Sequence, residues 1–137
     1  MFELATGDTA MAKRLLLVED ELLIRAWMAE CLSEAGYDVV EAEDGDHALA
    51  LMDQPDAFDL LITDIQMPGQ ADGNAVATRA KQRYPGLPVI YASGRPESLK
   101  NEVRPCDAFV CKPFNVTMIL TTAQRVLAAA GNASSVS

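Results

Sequence analysis

The sequence predicts a doubly wound α/β fold, with five parallel strands in the order 2-1-3-4-5 and helices on both faces. Three observations lead there. Short apolar runs alternate with segments of helical period along the chain. The runs are continuous rather than alternating in polarity, as strands covered on both faces require. Gly and Pro punctuate the junctions between them. The chain has 137 residues, which suits one domain, and half of them are apolar, enough for one core.

Leu15-Leu16-Leu17-Val18 is the first strand, β1. Asp20 is placed to cap the helix after it, α1, in which Ile24, Met28, Cys31 and Ala35 recur at helical spacing before Gly36 stops it. Val39-Val40 is β2. Asp44 caps α2, which carries Ala48, Leu51 and Met52 on one side. Leu60-Leu61-Ile62 is β3, ending at Thr63-Asp64, and Met67-Pro68-Gly69 is a loop. α3 runs roughly from Asp72 to Arg83 and is broken by Pro85-Gly86. Val89-Ile90-Tyr91 is β4, ending at Ser93-Gly94. The stretch Arg95–Asp107 holds Pro96 and Pro105, so the helix expected there, α4, should be short, displaced or mobile. Ala108-Phe109-Val110 is β5, and Asn115 caps α5, with Ile119, Ala123, Val126 and Ala130 on its inner stripe. Right-handed crossovers reduce five consecutive βα units to a flavodoxin-like (βα)5 arrangement. Residues 12–130 form the expected domain. Residues 1–11 are read as a disordered leader and residues 131–137 as a frayed polar tail.

Composition narrows the function. A formal net charge of −9 disfavours a nucleic-acid partner, whose affinity comes mostly from Lys and Arg, and favours cations or basic surfaces. No run approaches a membrane span, and the first ten residues lack the basic start and apolar middle of a signal peptide. Cys31, Cys106 and Cys111 are odd in number and none share a C-x-x-C spacing, which argues against a disulfide framework or a zinc site and for a reducing, cytoplasmic setting.

In an open parallel sheet the ligand sits outside the carboxyl ends of the strands, at the switch between β1 and β3. The residues there are Glu19 and Asp20 after β1, Asp64 after β3, Ser93 after β4 and Lys112 after β5. Each alone has an ordinary reading: a strand-end Asp is usually a cap or turn residue, and a Lys usually a surface group. Together they are harder to dismiss. Two unit charges about 4 Å apart repel by roughly 4 kcal/mol at an effective dielectric near 20, so three converging carboxylates call for a cation. Hard oxygen donors in a small site suit Mg²⁺, with the Gln66 backbone carbonyl at the mouth to complete the shell. An Asp64 oxygen can attack phosphorus to form an acyl phosphate, with Lys112 and the metal offsetting charge and Ser93 donating to a phosphoryl oxygen.

The runs LLLVEDE, LLITDIQMPG, VIYASG and FVCKPF resemble, in order, the motifs of two-component response-regulator receiver domains, over about residues 13–130. The resemblance implies roles for the matching positions. Glu19 and Asp20 match the acidic metal pair, Glu19 standing where Asp is commoner. Asp64 matches the phosphoacceptor, and Gln66 the residue whose carbonyl binds Mg²⁺. Ser93 matches the switch hydroxyl, Phe109 the switch aromatic and Lys112 the pocket lysine. A cis bond often precedes the proline found here as Pro113. The Tyr-Ala-Ser-Gly run is also similar to the Phe-Ala-Thr-Gly run of some stand-alone receivers.

The function so implied is a phosphorelay switch, not an enzyme with a turnover substrate. A histidine kinase or histidine phosphotransfer protein would donate the phosphoryl group, and output would pass through contacts with a downstream protein. The domain would be a monomer or an α4-β5-α5 homodimer, with neither nucleic acid nor membrane as partner. Arg95, at the pocket rim, is expected to lengthen the phosphorylated lifetime. Three rivals are weaker. A degenerate receiver should lack a pocket residue. A flavodoxin-like cofactor binder needs a glycine- or hydroxyl-rich loop where Glu19-Asp20-Glu21 stand. An aspartate-nucleophile hydrolase would have a second Asp at the position of Gln66. Phe109 and Trp27 have packing as their plain reading, and His47 that of a surface residue.

Overall fold

Five parallel strands pair in the order β2-β1-β3-β4-β5 in the computed structural model, which describes residues 12–136. The strands are β1 (Arg14–Val18), β2 (Asp38–Ala42), β3 (Leu60–Asp64), β4 (Val89–Ser93) and β5 (Ala108–Cys111). Side chains alternate across each strand, and because the strands are apolar on both sides they feed two cores. Leu16, Val18, Leu61, Val89 and Tyr91 pack on one face with Ala48 and Met52 of α2 (Gly45–Met52) and Val76, Ala77 and Ala80 of α3 (Gly73–Arg83). Leu15, Leu17, Leu60, Ile62 and Ile90 pack on the other with Met28 and Leu32 of α1 (Leu22–Glu34) and Ile119, Ala123 and Val126 of α5 (Val116–Val136). Each fully buried Leu or Ile contributes about 1.5–3 kcal/mol.

Several local expectations hold. The Asp44 carboxylate accepts the His47 N–H at 2.8 Å at the start of α2, and the Asn115 side-chain oxygen accepts the Met118 N–H at 2.8 Å at the start of α5. Asp72 caps α3 through the Ala75 N–H at 3.0 Å. Gly36 ends α1 with φ at 102°, a left-handed conformation that glycine adopts without a Cβ penalty. The Lys112–Pro113 bond is cis. Cys31, Cys106 and Cys111 are all free.

Three expectations need correction, and the expectation of a short α4 is met in its extreme form. Asp20 does not cap α1: the N-cap is Glu21, with no side-chain cap, and the Glu21 N–H donates instead to the Glu19 carboxylate at 3.1 Å. The inner stripe of α1 is Met28, Ala29 and Leu32, with Ile24 half-buried, while Ala35 is exposed; the helix is rotated so that Leu22, Leu23 and Trp27 face outward. No α-helix forms between β4 and β5. The place of α4 is held by a single 3-10 turn, Pro96–Ser98, with Pro96 at its first position, where a proline is tolerated, and extended backbone at Leu99 ending it. α5 continues to Val136, beyond the break expected at Gly131; one glycine costs a helix interior only about 1 kcal/mol, and the preceding Ala128-Ala129-Ala130 favours helix. The expected leader, residues 1–11, lies outside the described residues.

One buried ion pair ties the lower ends of β4 and β5 together. Asp107 is 5% exposed and accepts the Val89 N–H at 3.0 Å, the Arg104 N–H at 2.9 Å and the Arg104 guanidinium at 2.9 and 3.0 Å. The same guanidinium donates to the carbonyls of Pro85 and Leu87. Burial alone would raise the Asp107 pKa, but these hydrogen bonds outweigh it and hold the carboxyl below its usual range. A depressed carboxyl pKa stabilises the fold above the unfolded value, and that contribution is lost as pH falls through the folded value. Asp107→Asn should therefore lower the unfolding free energy at neutral pH by about 2 kcal/mol. The gap from the parent should narrow as pH falls below about 4. Urea unfolding of both proteins across pH 3 to 7 measures it; a gap independent of pH would contradict the assignment.

Candidate functional site

Strand register decides which side chains meet. Val18 pairs with Thr63, Asp64 with Ala92 and Ser93 with Cys111, so β1, β3, β4 and β5 finish nearly level. The ladder runs one step further through the Lys112 N–H, which donates to the Ser93 carbonyl at 2.9 Å. Glu19, Asp64, Ser93 and Lys112 thus lie together at the carboxyl ends of the strands, although up to 93 positions separate them in the chain.

Lys112 is the hub. Its Nζ donates to Glu19 Oε1 at 2.8 Å and to Asp64 Oδ2 at 3.0 Å. Carboxylate oxygens of Glu19, Asp20 and Asp64 all lie within 4.8 Å of one another. The depths differ. The Glu19 side chain is 3% exposed and sits behind the others, while that of Asp64 is 11% exposed and faces a cavity of about 360 Å³. Asp20, Gln66, Ser93, Arg95 and Lys112 also border that cavity. The second Asp64 oxygen, Oδ1, accepts the Ile65 N–H at 2.7 Å, which fixes the carboxylate plane. Two further cavities hold no such cluster of carboxylates. One, at the opposite end of the sheet, is bordered by Lys13, Phe58, Asp59, Tyr84 and Leu127; the other is an apolar groove bordered by Ile24, Trp27, Lys112, Pro113 and Phe114.

Burial raises the Glu19 pKa and the Asp64 charge adds to it, against the Lys112 and Glu21 hydrogen bonds that lower it. Burial would lower the Lys112 pKa, but its two carboxylate partners more than reverse that, and the net direction is upward. The two directions are compatible: one ammonium shared by two carboxylates stays charged, while the deeper carboxylate remains under-compensated. The cluster therefore holds excess negative charge and hard oxygen donors, and both fit a divalent cation such as Mg²⁺.

Ser93 is 2% exposed and its Oγ accepts the Arg95 N–H at 2.9 Å. Phe109 pairs in register with Tyr91, and its half-buried side chain packs against the core on the α2–α3 face. Arg95 is exposed at the rim. Trp27 is partly exposed and its ring stacks on Phe114, with centroids 6.2 Å apart. Gly73 lets α3 press directly on the end of β3, since a Cβ there would run into the Asp64 carbonyl.

Three supporting residues escape a reading from sequence. Arg25 donates to the Glu19 carbonyl at 2.8 Å and pairs with Glu41 at 3.2 Å, bracing the β1–α1 turn. Thr63 donates from Oγ1 to the Asp64 carbonyl at 2.7 Å. Asn74 is a buried amide in the first turn of α3. Only Asn74 leaves a trace in the sequence, as a polar residue at the inner edge of a stripe made by Val76, Ala77 and Ala80.

Comparison with known proteins gives a consistent result. The family model described as response regulator receiver domain matches residues 15–124. The chain is 32% identical over 124 residues to sensor kinase CckA of Brucella abortus (strain 2308), covering 88% of this chain but only 13% of that protein. It is 35% identical to the response regulator receiver protein CpdR of the same strain, covering 86% of this chain and 99% of CpdR. A crystal structure of a response regulator receiver protein from Sinorhizobium medicae WSM419 superposes with a TM-score of 0.82 at 25% identity, covering 88% of this chain and 98% of the other.

Proposed function

Since the chain belongs to the response regulator receiver domain family, we propose that it is a phosphorelay switch whose phosphoacceptor is Asp64. The observation that carries this is the single ammonium of Lys112 shared between Asp64, at the cavity wall, and Glu19 behind it, with the Asp20 carboxylate alongside. A histidine kinase or histidine phosphotransfer protein is the donor. In the transfer an Asp64 carboxylate oxygen forms a bond to phosphorus as the bond from phosphorus to the donor imidazole nitrogen breaks. The carboxylates of Glu19, Asp20 and Asp64 and the Gln66 carbonyl would hold Mg²⁺, which when bound supplies positive charge opposite the non-bridging phosphoryl oxygens. Lys112 is placed to follow the charge from the carboxylate to a phosphoryl oxygen, and the Ser93 hydroxyl to donate to another. The product carries roughly −1.5 to −2 charges on the phosphoryl group in place of the single Asp64 carboxylate charge, and it moves that charge outward with three new acceptor oxygens, which can reorder the segment beside the pocket.

The reading is a switch rather than an enzyme, with output through contact with a downstream protein, as a monomer or as a homodimer. A dimer face made of α4, β5 and α5 would here carry the turn at 96–98 in place of a helix, beside the open edge of β5. Among the described residues no helix is long and apolar enough to cross a membrane, and the proposed setting is the cytoplasm. The direct test is incubation with acetyl phosphate, read by intact mass. A phosphoryl gain that needs Mg²⁺ and is lost in EDTA supports the reading; no gain with Mg²⁺ present refutes it.

Arg95 gives a smaller prediction. Its exposed guanidinium borders the cavity and can shield an acyl phosphate from water. Arg95→Ala should shorten the phosphorylated half-life by a few-fold, as loss of one exposed ionic contact of up to about 1 kcal/mol implies. Decay followed by mass or radiolabel tests it, and an unchanged half-life removes the role.

A further inference from the structure

The segment that replaces α4 is held down by one side chain. The Asn74 amide pairs with the passing backbone much as a neighbouring strand would: Nδ2 donates to the Ser98 carbonyl at 3.0 Å, and the Lys100 N–H donates to Oδ1 at 2.9 Å. Asn101 returns the contact, donating from Nδ2 to the Asn74 carbonyl at 2.9 Å. The anchor end is rigid. Asn74 follows Gly73, whose N–H donates to the Ile65 carbonyl at 2.7 Å and whose Cα packs against the end of β3. The held end reaches the pocket. Ser98 Oγ donates to the Arg95 carbonyl at 2.6 Å, and Ser93 Oγ both accepts the Arg95 N–H at 2.9 Å and reaches the Arg95 carbonyl at 3.3 Å. With the segment so placed, both functions of the Ser93 hydroxyl are engaged away from Asp64.

The arrangement also carries a cost. The Tyr91 hydroxyl is buried and has no hydrogen-bond partner, alone among buried side-chain nitrogen and oxygen atoms of the described residues. Its ring lies 5.7 Å from the Lys81 ammonium, which donates to the Glu102 carbonyl of the same segment at 3.1 Å. An unpaired buried hydroxyl raises the free energy of the state that contains it.

We infer that Asn74 is a positioning residue: it latches residues 98–101 beside Ser93 and Arg95 and thereby keeps the Ser93 hydroxyl turned away from the phosphoacceptor until a phosphoryl group competes for it. This rests on the reading of Asp64 as phosphoacceptor. A ligand that needs the released state binds more weakly by the fraction of molecules still latched. Weakening the latch therefore tightens the binding of a phosphoryl mimic without touching the carboxylates.

The test uses the whole chain with Mg²⁺ and beryllofluoride, titrated by calorimetry, beside Mg²⁺ alone. Asn74→Asp keeps the shape and the acceptor for Lys100 but loses the donor to Ser98, and an acidic residue is tolerated in the first turn of a helix. Lys100→Pro leaves α3 intact and removes the N–H that Asn74 accepts, together with an exposed side-chain charge whose loss would by itself weaken, not tighten, the binding of an anion; Leu99 already has the extended backbone a following proline requires. Both variants should bind beryllofluoride about fivefold more tightly, the equivalent of one net hydrogen bond. Mg²⁺ affinity should be unchanged, and without ligand the backbone amides of residues 98–101 should exchange hydrogen faster. Parent-like beryllofluoride affinity in both variants, with or without a lower melting temperature, overturns the latch. Failure of the parent itself to bind beryllofluoride overturns the phosphoacceptor reading and the latch with it.

Discussion

Asp64→Asn abolishes phosphoryl uptake from acetyl phosphate and leaves the fold intact. The amide is nearly the same size as the carboxylate, and its oxygen can accept one of the two hydrogen bonds that Asp64 now receives, from Lys112 or from the Ile65 N–H. What it lacks is a nucleophilic oxygen with a full charge to share, so no acyl phosphate forms. Removing one of three crowded carboxylates also lowers their mutual repulsion, roughly 4 kcal/mol per pair at about 4 Å and an effective dielectric near 20 before solvent and Lys112 offset it. The melting temperature should accordingly stay level or rise. Intact mass before and after acetyl phosphate, with a thermal melt of the same sample, is the measurement. A variant that gains a phosphoryl group at the parent rate would move the acceptor to Glu19 or Asp20 and undo the assignment.

Lys112→Met splits two quantities that would otherwise move together. Among the described residues Lys112 is the only cation paired with the carboxylates of the cluster, and its aliphatic stem is largely buried, so Met preserves the packing. Losing a preorganised cation at a developing phosphoryl charge slows transfer by about 10²–10³-fold. The same change removes the positive charge facing the site where Mg²⁺ would sit, so Mg²⁺ affinity should rise several-fold. The fold should weaken where the metal is absent, because Glu19 is then buried beside Asp64 with no counter-charge, and breaking a buried pair in this way costs about 3–5 kcal/mol. Titration with Mg²⁺ should recover much of that loss. Parallel measurement of Mg²⁺ affinity, phosphorylation rate and urea unfolding decides it. Slower phosphorylation with weaker Mg²⁺ binding would mean that Lys112 organises the metal site rather than competing with it.

The strands and the order in which they pair were legible because parallel strands buried on both faces must be apolar throughout, and crossovers have one hand. The caps at Asp44 and Asn115 were legible for a similar local reason: the side chain bonds an N–H three residues on. A strand-end Asp reads equally well as a helix cap or as a pocket carboxylate, so the sequence alone does not show that Asp20 leaves α1 uncapped. The outward turn of Leu22, Leu23 and Trp27 was missed because α1 is apolar around much of its circumference, so periodicity alone leaves its rotation undetermined. The two prolines between β4 and β5 indicate that α4 is abnormal, but the pairing of the segment with Asn74, on α3, is not visible from them.

Local chemistry in the chain itself was sufficient to specify five strands, their order, and a set of acidic, hydroxyl and lysine residues at the strand ends, since each follows from neighbours a few positions away or from a rule of handedness. Only the folded molecule decided that Glu19 lies behind Asp64 instead of beside it, that one ammonium serves both, and that an amide on α3 fastens the segment above Ser93. Those outcomes depend on depth, distance and direction between groups remote in the chain, and such quantities arise only when the sheet twist and helix packing set them.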